Sequence, residues 1–381
     1  MYTNTTQYLR SLASDLVHGC RRTAADGTVI YTPDGTASYD GLWLRDFSYM
    51  VEYAGFAIQD QDIVNCIRYA VRHRRADGWM PDRVTTDGLA VYAAGIAAAP
   101  VGEANLDNTP FLIFTVDSLS RRMDPETFLP LFTEWEADLE QGLFLLPIDE
   151  NGLVYNDVQK PHSPYGFTDT IGKTGTLYME SLLYWRACRM MERMCKTYGI
   201  KNPDRFAKAA ESVERFLSLL FDPAAGAFYA ATKDCHQYDI WGMAYMLYIG
   251  FPCSADEKQA VLSFLEKNYD ACVYRGQVRH LLKGQYWERL LIDVEPETYQ
   301  NGAYWATASG WMIWCLAQQN PALAVRALED VVSCFKTDGS FECINEGYEK
   351  LPLFVVSATN VCGGFERTIS DFPEFGAGKI D

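Results

Sequence analysis

The eleven cysteines include no Cys-x-x-Cys pair, and their odd number leaves at least one without a partner. Neither a disulfide framework nor a zinc cluster is indicated, so buried, reduced thiols and a cytoplasmic location are expected. His18, His73, His162, His236 and His280 show no paired metal-ligand spacing, and neither metal nor cofactor is expected. The chain also has no Gly-x-Ser-x-Gly elbow and no Gly-x-Gly-x-x-Gly turn. Gly172-Lys173-Thr174 imitates the end of a phosphate-binding loop, but Phe167 stands where that loop requires a glycine. These absences set aside elbow-type serine hydrolases, dinucleotide enzymes and P-loop enzymes.

Long apolar runs are missing too. None approaches the roughly 18 residues that span a bilayer, and Met1 to Arg10 has no apolar signal-peptide core. No membrane partner is expected. Basic residues are outnumbered 33 to 50, and the formal charge of −17 argues against nucleic acid, whose affinity comes largely from neutralised phosphates. The compact basic run Arg72-His73-Arg74-Arg75 reads as a solvated helix end, where cations suit the helix dipole. With no linker rich in Pro, Gly or Ser, one continuous domain over 1–381 is expected.

Aromatic residues are plentiful. At 14% of the chain, some must lie near the surface or line a cavity, which suits a carbohydrate ligand. Apolar residues at helical spacing predict about twelve helices: 4–20, 43–59, 61–75, 107–123, 124–141, 172–198, 203–221, 241–249, 254–268, 304–319, 321–335 and the β-branched stretch 351–362. Asp124-Pro125 fits an N-cap followed by the first helical position, and Asn202-Pro203 opens a helix in the same way. Turns within pairs are short and connections between pairs are long. The helix after each long connection is the more apolar, as in Phe111-Leu112-Ile113-Phe114 and Trp311-Met312-Ile313-Trp314-Cys315-Leu316. An inner ring of buried helices inside an outer amphipathic ring accounts for that difference, so the expected fold is an all-α, closed (α/α)6 toroid. In such a toroid the long connections converge on one face.

Those connections hold most of the unusual chemistry. The first carries Trp43, Arg45 and Asp46; the second Asp82, Arg83, Asp107 and Asn108; the third Asp169 and Lys173. The fourth carries Asp239 and Trp241, the fifth Gln300, Asn301 and Trp305, and the sixth Glu342, Glu346 and Glu349. Carboxylates beside aromatics and amides at so many junctions fit a polyhydroxylated ligand. Glycosidic cleavage needs two carboxyl groups, one protonated for the leaving oxygen and one ionised to activate water or attack. Asp169, after Tyr165, Gly166 and Phe167, fits the acid, which a desolvated aromatic loop would hold protonated. Its plainer reading is an N-cap for a helix opening near Ile171, with Asp107 and Asp239 next as acid candidates. Glu342 is the expected base, with Glu346 and Glu349 as alternatives.

Trp43-Leu44-Arg45-Asp46, Gly78-Trp79-Met80-Pro81, Asp169, Gln300-Asn301-Gly302 with Trp305, and Phe341-Glu342 with Asn345 resemble the six-hairpin (α/α)6 glycoside hydrolases, which include trehalases, glucoamylases and processing-glucosidase relatives. The resemblance implies that Trp43, Arg45 and Asp46 bind hydroxyls at the non-reducing end. It further implies that Asp169 is the general acid and Glu342 the base, and that the reaction inverts and needs no cofactor. Around the acid and base the chain reads Gly-Phe-Thr-Asp-Thr and Glu-Cys-Ile-Asn, unlike the trehalase pattern. The expected activity is exo-hydrolysis of neutral oligosaccharides. Two alternatives share the toroid: a sugar 2-epimerase using His236 and His280, and a catalytically silent glycan-binding protein.

Overall fold

Six helices form an inner ring and six lie around it. The computed structural model describes residues 3–200, 202–373 and 375. The first set is α2 (Leu44–Ala54), α4 (Asn108–Ser120), α6 (Tyr178–Tyr198), α8 (Ile240–Tyr248), α11 (Ser309–Gln319) and α13 (Val355–Asp371). The second is α1 (Thr3–Gly19), α3 (Asp60–Arg72), α5 (Pro125–Leu143), α7 (Pro203–Phe216), α9 (Ala255–Lys267) and α12 (Pro321–Thr337), while α10 (Tyr269–Cys272) is a single turn. Around the centre α2 packs on α4, α4 on α6, α6 on α8, α8 on α11, α11 on α13, and α13 returns to α2. The outer helices lie against this ring, α1 on α13, α5 on α4, α7 on α6 and α12 on α11. This is the (α/α)6 toroid expected from the apolar patterning.

The local causes are legible. All nine residues of α8 are buried, whereas α7 buries Phe206, Ala210 and Val213, one stripe at helical spacing. Asp124 accepts a hydrogen bond from the Thr127 amide and Pro125 follows it, so α5 starts as the sequence predicts. Asn202 instead takes a left-handed conformation and makes no cap bond. Where α11 crosses α13, a side chain on Gly364 would sit 2.5 Å from the Gly310 Cα, so the helices touch through two glycines.

Three expectations change. The predicted helix over 351–362 begins only at Val355 and runs to Asp371, because burial on both α2 and α11 overrides the weak helix propensity of its β-branched residues. The helices predicted from 172 and 304 start at Tyr178 and Ser309, the preceding residues forming a short strand and a 3-10 turn. The long connections are not plain loops but carry short antiparallel pairings, including Gly41–Trp43 with Arg83–Thr85 and Phe341–Asn345 with Tyr348–Pro352. All eleven cysteines are free, and ten of them are buried. Among the described residues no helix is long and apolar enough to cross a membrane.

Candidate functional site

A cavity of about 440 Å³ opens where the long connections enter the inner helices. Its lining comes from the segments before α2, α4, α6, α11 and α13; the one before α8 contributes nothing. Of the residues expected to form a site, Trp43, Arg45, Asp46, Arg83, Asp169 and Glu342 line this cavity.

Trp43 ends a strand and Arg45 and Asp46 fall in the first turn of α2, which carries them inward. Arg45 is 4% exposed. Its guanidinium pairs with Asp82 and donates from Nε to Asp107 Oδ2 at 3.1 Å. The same Asp107 oxygen accepts from the Gly166 amide at 2.8 Å. A Cβ on Gly166 would lie 1.5 Å from Arg45 Nε, so only glycine lets this backbone rest on the guanidinium. Asp82 and Asp107 thus stand behind Arg45 and do not line the cavity. Burial pushes the neighbouring Asp46 carboxyl up to about 8, against the lowering effect of Arg45.

Asp169 follows the 3-10 turn Gly166–Thr168. It caps no α-helix, since α6 opens at Tyr178 behind Leu177. Gln300 donates to Asp169 Oδ1 at 2.8 Å and to the Gly166 carbonyl at 3.1 Å, and its own carbonyl accepts from the Thr170 amide and hydroxyl. Gln300 therefore orients Asp169 and does not line the cavity. Burial, offset by Arg45 and reinforced by Asp82, lifts the Asp169 carboxyl to about 7.

Glu342 lies on the Phe341–Asn345 strand, and its side chain points inward. It pairs with Lys350 from the partner strand and accepts from the Tyr39 hydroxyl at 3.0 Å. Lys350 Nζ also donates to the Tyr39 oxygen at 2.7 Å and sits 3.9 Å from the Tyr299 ring centroid. Burial raises the Glu342 carboxyl and Lys350 opposes that rise. Burial, reinforced by Glu342 and Asp169, holds the Tyr39 and Tyr299 phenols well above the usual value. Tyr299 adopts φ 38°, a left-handed backbone rare for a bulky residue. Glu346 and Glu349 are exposed and line no part of this cavity.

The other expected residues build the walls from behind. Asn108 donates to the Met80 and Tyr92 carbonyls, and Lys173 is buried in an ion pair with Glu180 at 2.6 Å. Asp239 caps α8 by accepting from the Gly242 amide, and burial lifts its carboxyl to about 6. Trp241 donates to the Val278 carbonyl, and Asn301 binds the Trp287 amide and the Val294 carbonyl. Trp305 donates to the Tyr299 carbonyl and meets Phe167 edge-on. Of the two histidines, His280 is buried 3.9 Å from Trp241, and His236 is exposed on Tyr229. Neither lines the cavity, so they do not form the acid–base pair an epimerase would need.

Sequence reasoning missed Tyr39, Lys350 and Tyr299. Lys350 shares with Glu342 a hairpin whose turn is marked by Asn345-Glu346-Gly347, but the register sets Lys350 opposite Cys343, so the hairpin alone does not predict its pairing with Glu342. Tyr39 and Tyr299 carry no such mark.

No protein-family model matches the sequence, and no curated protein matches it. Solved structures share the fold. The mannosylglycerate hydrolase of family GH63 from Thermus thermophilus, in complex with Tris, superposes with a TM-score of 0.68 at 15% identity over 94% of this chain and 100% of that one. An uncharacterized conserved protein from the same organism gives 0.67 at 14% over the same shares of the two chains. A rhamnosidase from Klebsiella oxytoca with rhamnose bound gives 0.66 at 12%, over 97% of this chain and 65% of that one. At such identities the likeness establishes the fold alone, the (α/α)6 toroid.

Proposed function

We propose that this chain is an exo-acting, inverting glycoside hydrolase for neutral oligosaccharides, with Asp169 as general acid and Glu342 as general base. The observation that carries the reading is the unequal setting of two carboxyls on one cavity. Burial lifts the Asp169 carboxyl to about 7 and its partner is a neutral amide, so a large share of it holds a proton at neutral pH. Glu342 is clamped by Lys350 and a phenol, which favour its ionised form. In the reaction Asp169 gives its proton to the glycosidic oxygen as the C–O bond breaks. Glu342 takes a proton from the water whose oxygen bonds to the anomeric carbon from the other face. Solvent exchange then returns Asp169 to its acid form and Glu342 to its base form.

The remaining lining supports a neutral sugar. Arg45, Arg83 and Lys350 each already face a carboxylate, which leaves no cation spare for an anionic substrate. Trp43 offers a ring for a sugar face, and Asp46, protonated at neutral pH, can donate to a hydroxyl. Arg45 and Asp46, both buried, line a cavity of about 440 Å³, within the range of about 300–1,000 Å³ typical of small-ligand sites, a size that suits the end of a sugar chain. The hydrolase and rhamnosidase that share the toroid lend further support.

The test is product formation from a panel of α- and β-linked disaccharides, comparing wild type with Asp169→Asn and Glu342→Gln, and following the anomeric proton of the first product by NMR. Cleavage with inversion that falls by about 10²-fold or more in both folded variants is expected. No cleavage across the panel, or cleavage that survives Asp169→Asn, overturns the reading.

A further inference from the structure

A second recess of about 400 Å³ lies between the connection before α8 and the one before α11, and it shares no lining residue with the cavity above. Its wall is a stack of three rings. His236 lies on Tyr229 at 3.8 Å with an interplanar angle of 17°, and Tyr229 lies on Tyr238 at 4.9 Å and 28°. Tyr286, 36% exposed, and the exposed Gln285 line it from the other connection.

The rings are fixed before any ligand arrives. Both Tyr229 and Tyr238 donate their hydroxyls to Asp222 Oδ2, at 3.0 and 2.6 Å. Tyr238 is braced edge-on by Phe264, and His236 Nδ1 is 2.8 Å from the Ala231 carbonyl. Tyr286 donates to Glu297 at 2.6 Å, and Gln237 donates to the Tyr286 carbonyl. Ring planes held this way lose little freedom on binding. Among the described residues, His236 Nε2 and the Gln285 side-chain amide have no protein hydrogen-bond partner, although both border the recess. No lining residue is an acid, a lysine or an arginine.

We propose that this recess is a second binding site, for a neutral saccharide. Tyrosine and imidazole faces stack on the C–H faces of a pyranose ring, and an amide and a ring nitrogen free of protein partners meet its hydroxyls. An anion would meet no cation in the lining and would face Asp222 and Glu297 behind the rings. Both recess and cavity occupy the end of the toroid where the long connections gather. Trp287, which follows Tyr286, donates its indole N–H to the carbonyl of Gln300, the residue that orients Asp169, at 3.0 Å. A longer glycan held at the recess would stay near the cavity, which raises its local concentration there.

The site does not depend on the catalytic reading and is tested apart from it. Asp169→Asn protein is titrated with maltotriose, cellotriose and mannotriose, with binding read by calorimetry and by saturation-transfer NMR. Binding of at least one trisaccharide is expected, weakened roughly tenfold or more by adding His236→Ala with Tyr286→Ala. Gln285→Ala, an exposed change that spares the ring stack, should weaken it less. In the otherwise wild-type chain the same substitutions should leave disaccharide cleavage, where it occurs, unchanged. Trisaccharide binding untouched by all three substitutions overturns the site, as does a recess that takes tetramethylammonium but no sugar. Loss of binding together with a lowered melting temperature is resolved by a crystal soak, in which density against His236 and Tyr286 upholds the site and its absence overturns it.

Discussion

The Gln300 side chain donates to Asp169 Oδ1 across 2.8 Å while accepting from both the amide and the hydroxyl of Thr170, so one amide group fixes the carboxyl and the backbone that carries it. Gln300→Met removes the donor and the acceptor at similar volume. We expect kcat for the best disaccharide to fall by about 10–100-fold with a smaller change in KM. Because the lost donor lowered the Asp169 carboxyl, the alkaline limb of the pH profile should move upward. An unmoved limb with a lowered kcat would mean that Gln300 matters only to folding.

The Asp169 carboxyl, lifted to about 7, predicts that kcat/KM falls by about tenfold per pH unit above that point, as the acid loses its proton. Stopped assays between pH 5 and 9 check this. A flat alkaline side would place the acid elsewhere.

Lys350 opposes the burial-driven rise of the Glu342 carboxyl. Lys350→Met should therefore raise that carboxyl further and shift the acid limb of kcat/KM to higher pH, with more activity lost at pH 5 than at pH 7. A uniform loss at all pH values would make Lys350 structural only. Tyr39→Phe should shift the limb in the same direction, since its hydroxyl also favours the ionised form.

Asp46 has a folded value of about 8, well above the unfolded value of about 3.9. Folding therefore favours its protonated form, and that contribution is complete below about pH 4 and lost as pH rises through about 8. Asp46→Asn cannot ionise. Its melting temperature should match wild type near pH 4 and exceed it by at least about 2 °C at pH 9. Equal melting curves at both pH values would contradict the assignment.

Gly166→Ala places a methyl group against the Arg45 guanidinium, which is itself fixed by Asp82 and Asp107. A loss of roughly 3 kcal/mol or more in urea denaturation is expected, the scale of an overpacked, ion-paired core. Ala substituted at Gly199, where a Cβ meets nothing within 4 Å, should cost far less despite φ 67°.

The sequence by itself determined the helices and their two-ring arrangement. Apolar spacing and caps such as Asp124-Pro125 act over one or two turns, and the contrast between α8 and α7 is written in composition alone. It also pointed to Trp43, Arg45, Asp46, Arg83, Asp169 and Glu342, because each sits where a long connection meets an inner helix or its flanking strand. The tertiary structure decided which of those polar groups face a cavity and which face each other. Only strand pairing turned Glu342 inward and left Glu346 in the hairpin turn, since strand geometry alternates the direction of successive side chains. Asp82, Asp107, Lys173 and Gln300 look like ligand groups in one dimension, yet each finds a partner within the folded chain, and Asp239 caps its own helix. Tyr39 and Lys350 lie 303 and 8 residues from Glu342, and their shared grip on it exists only once the first and last connections meet at the closing seam of the ring. A buried carboxyl takes its acidity from such neighbours, so its chemistry is fixed by closure of the toroid and not by the local sequence.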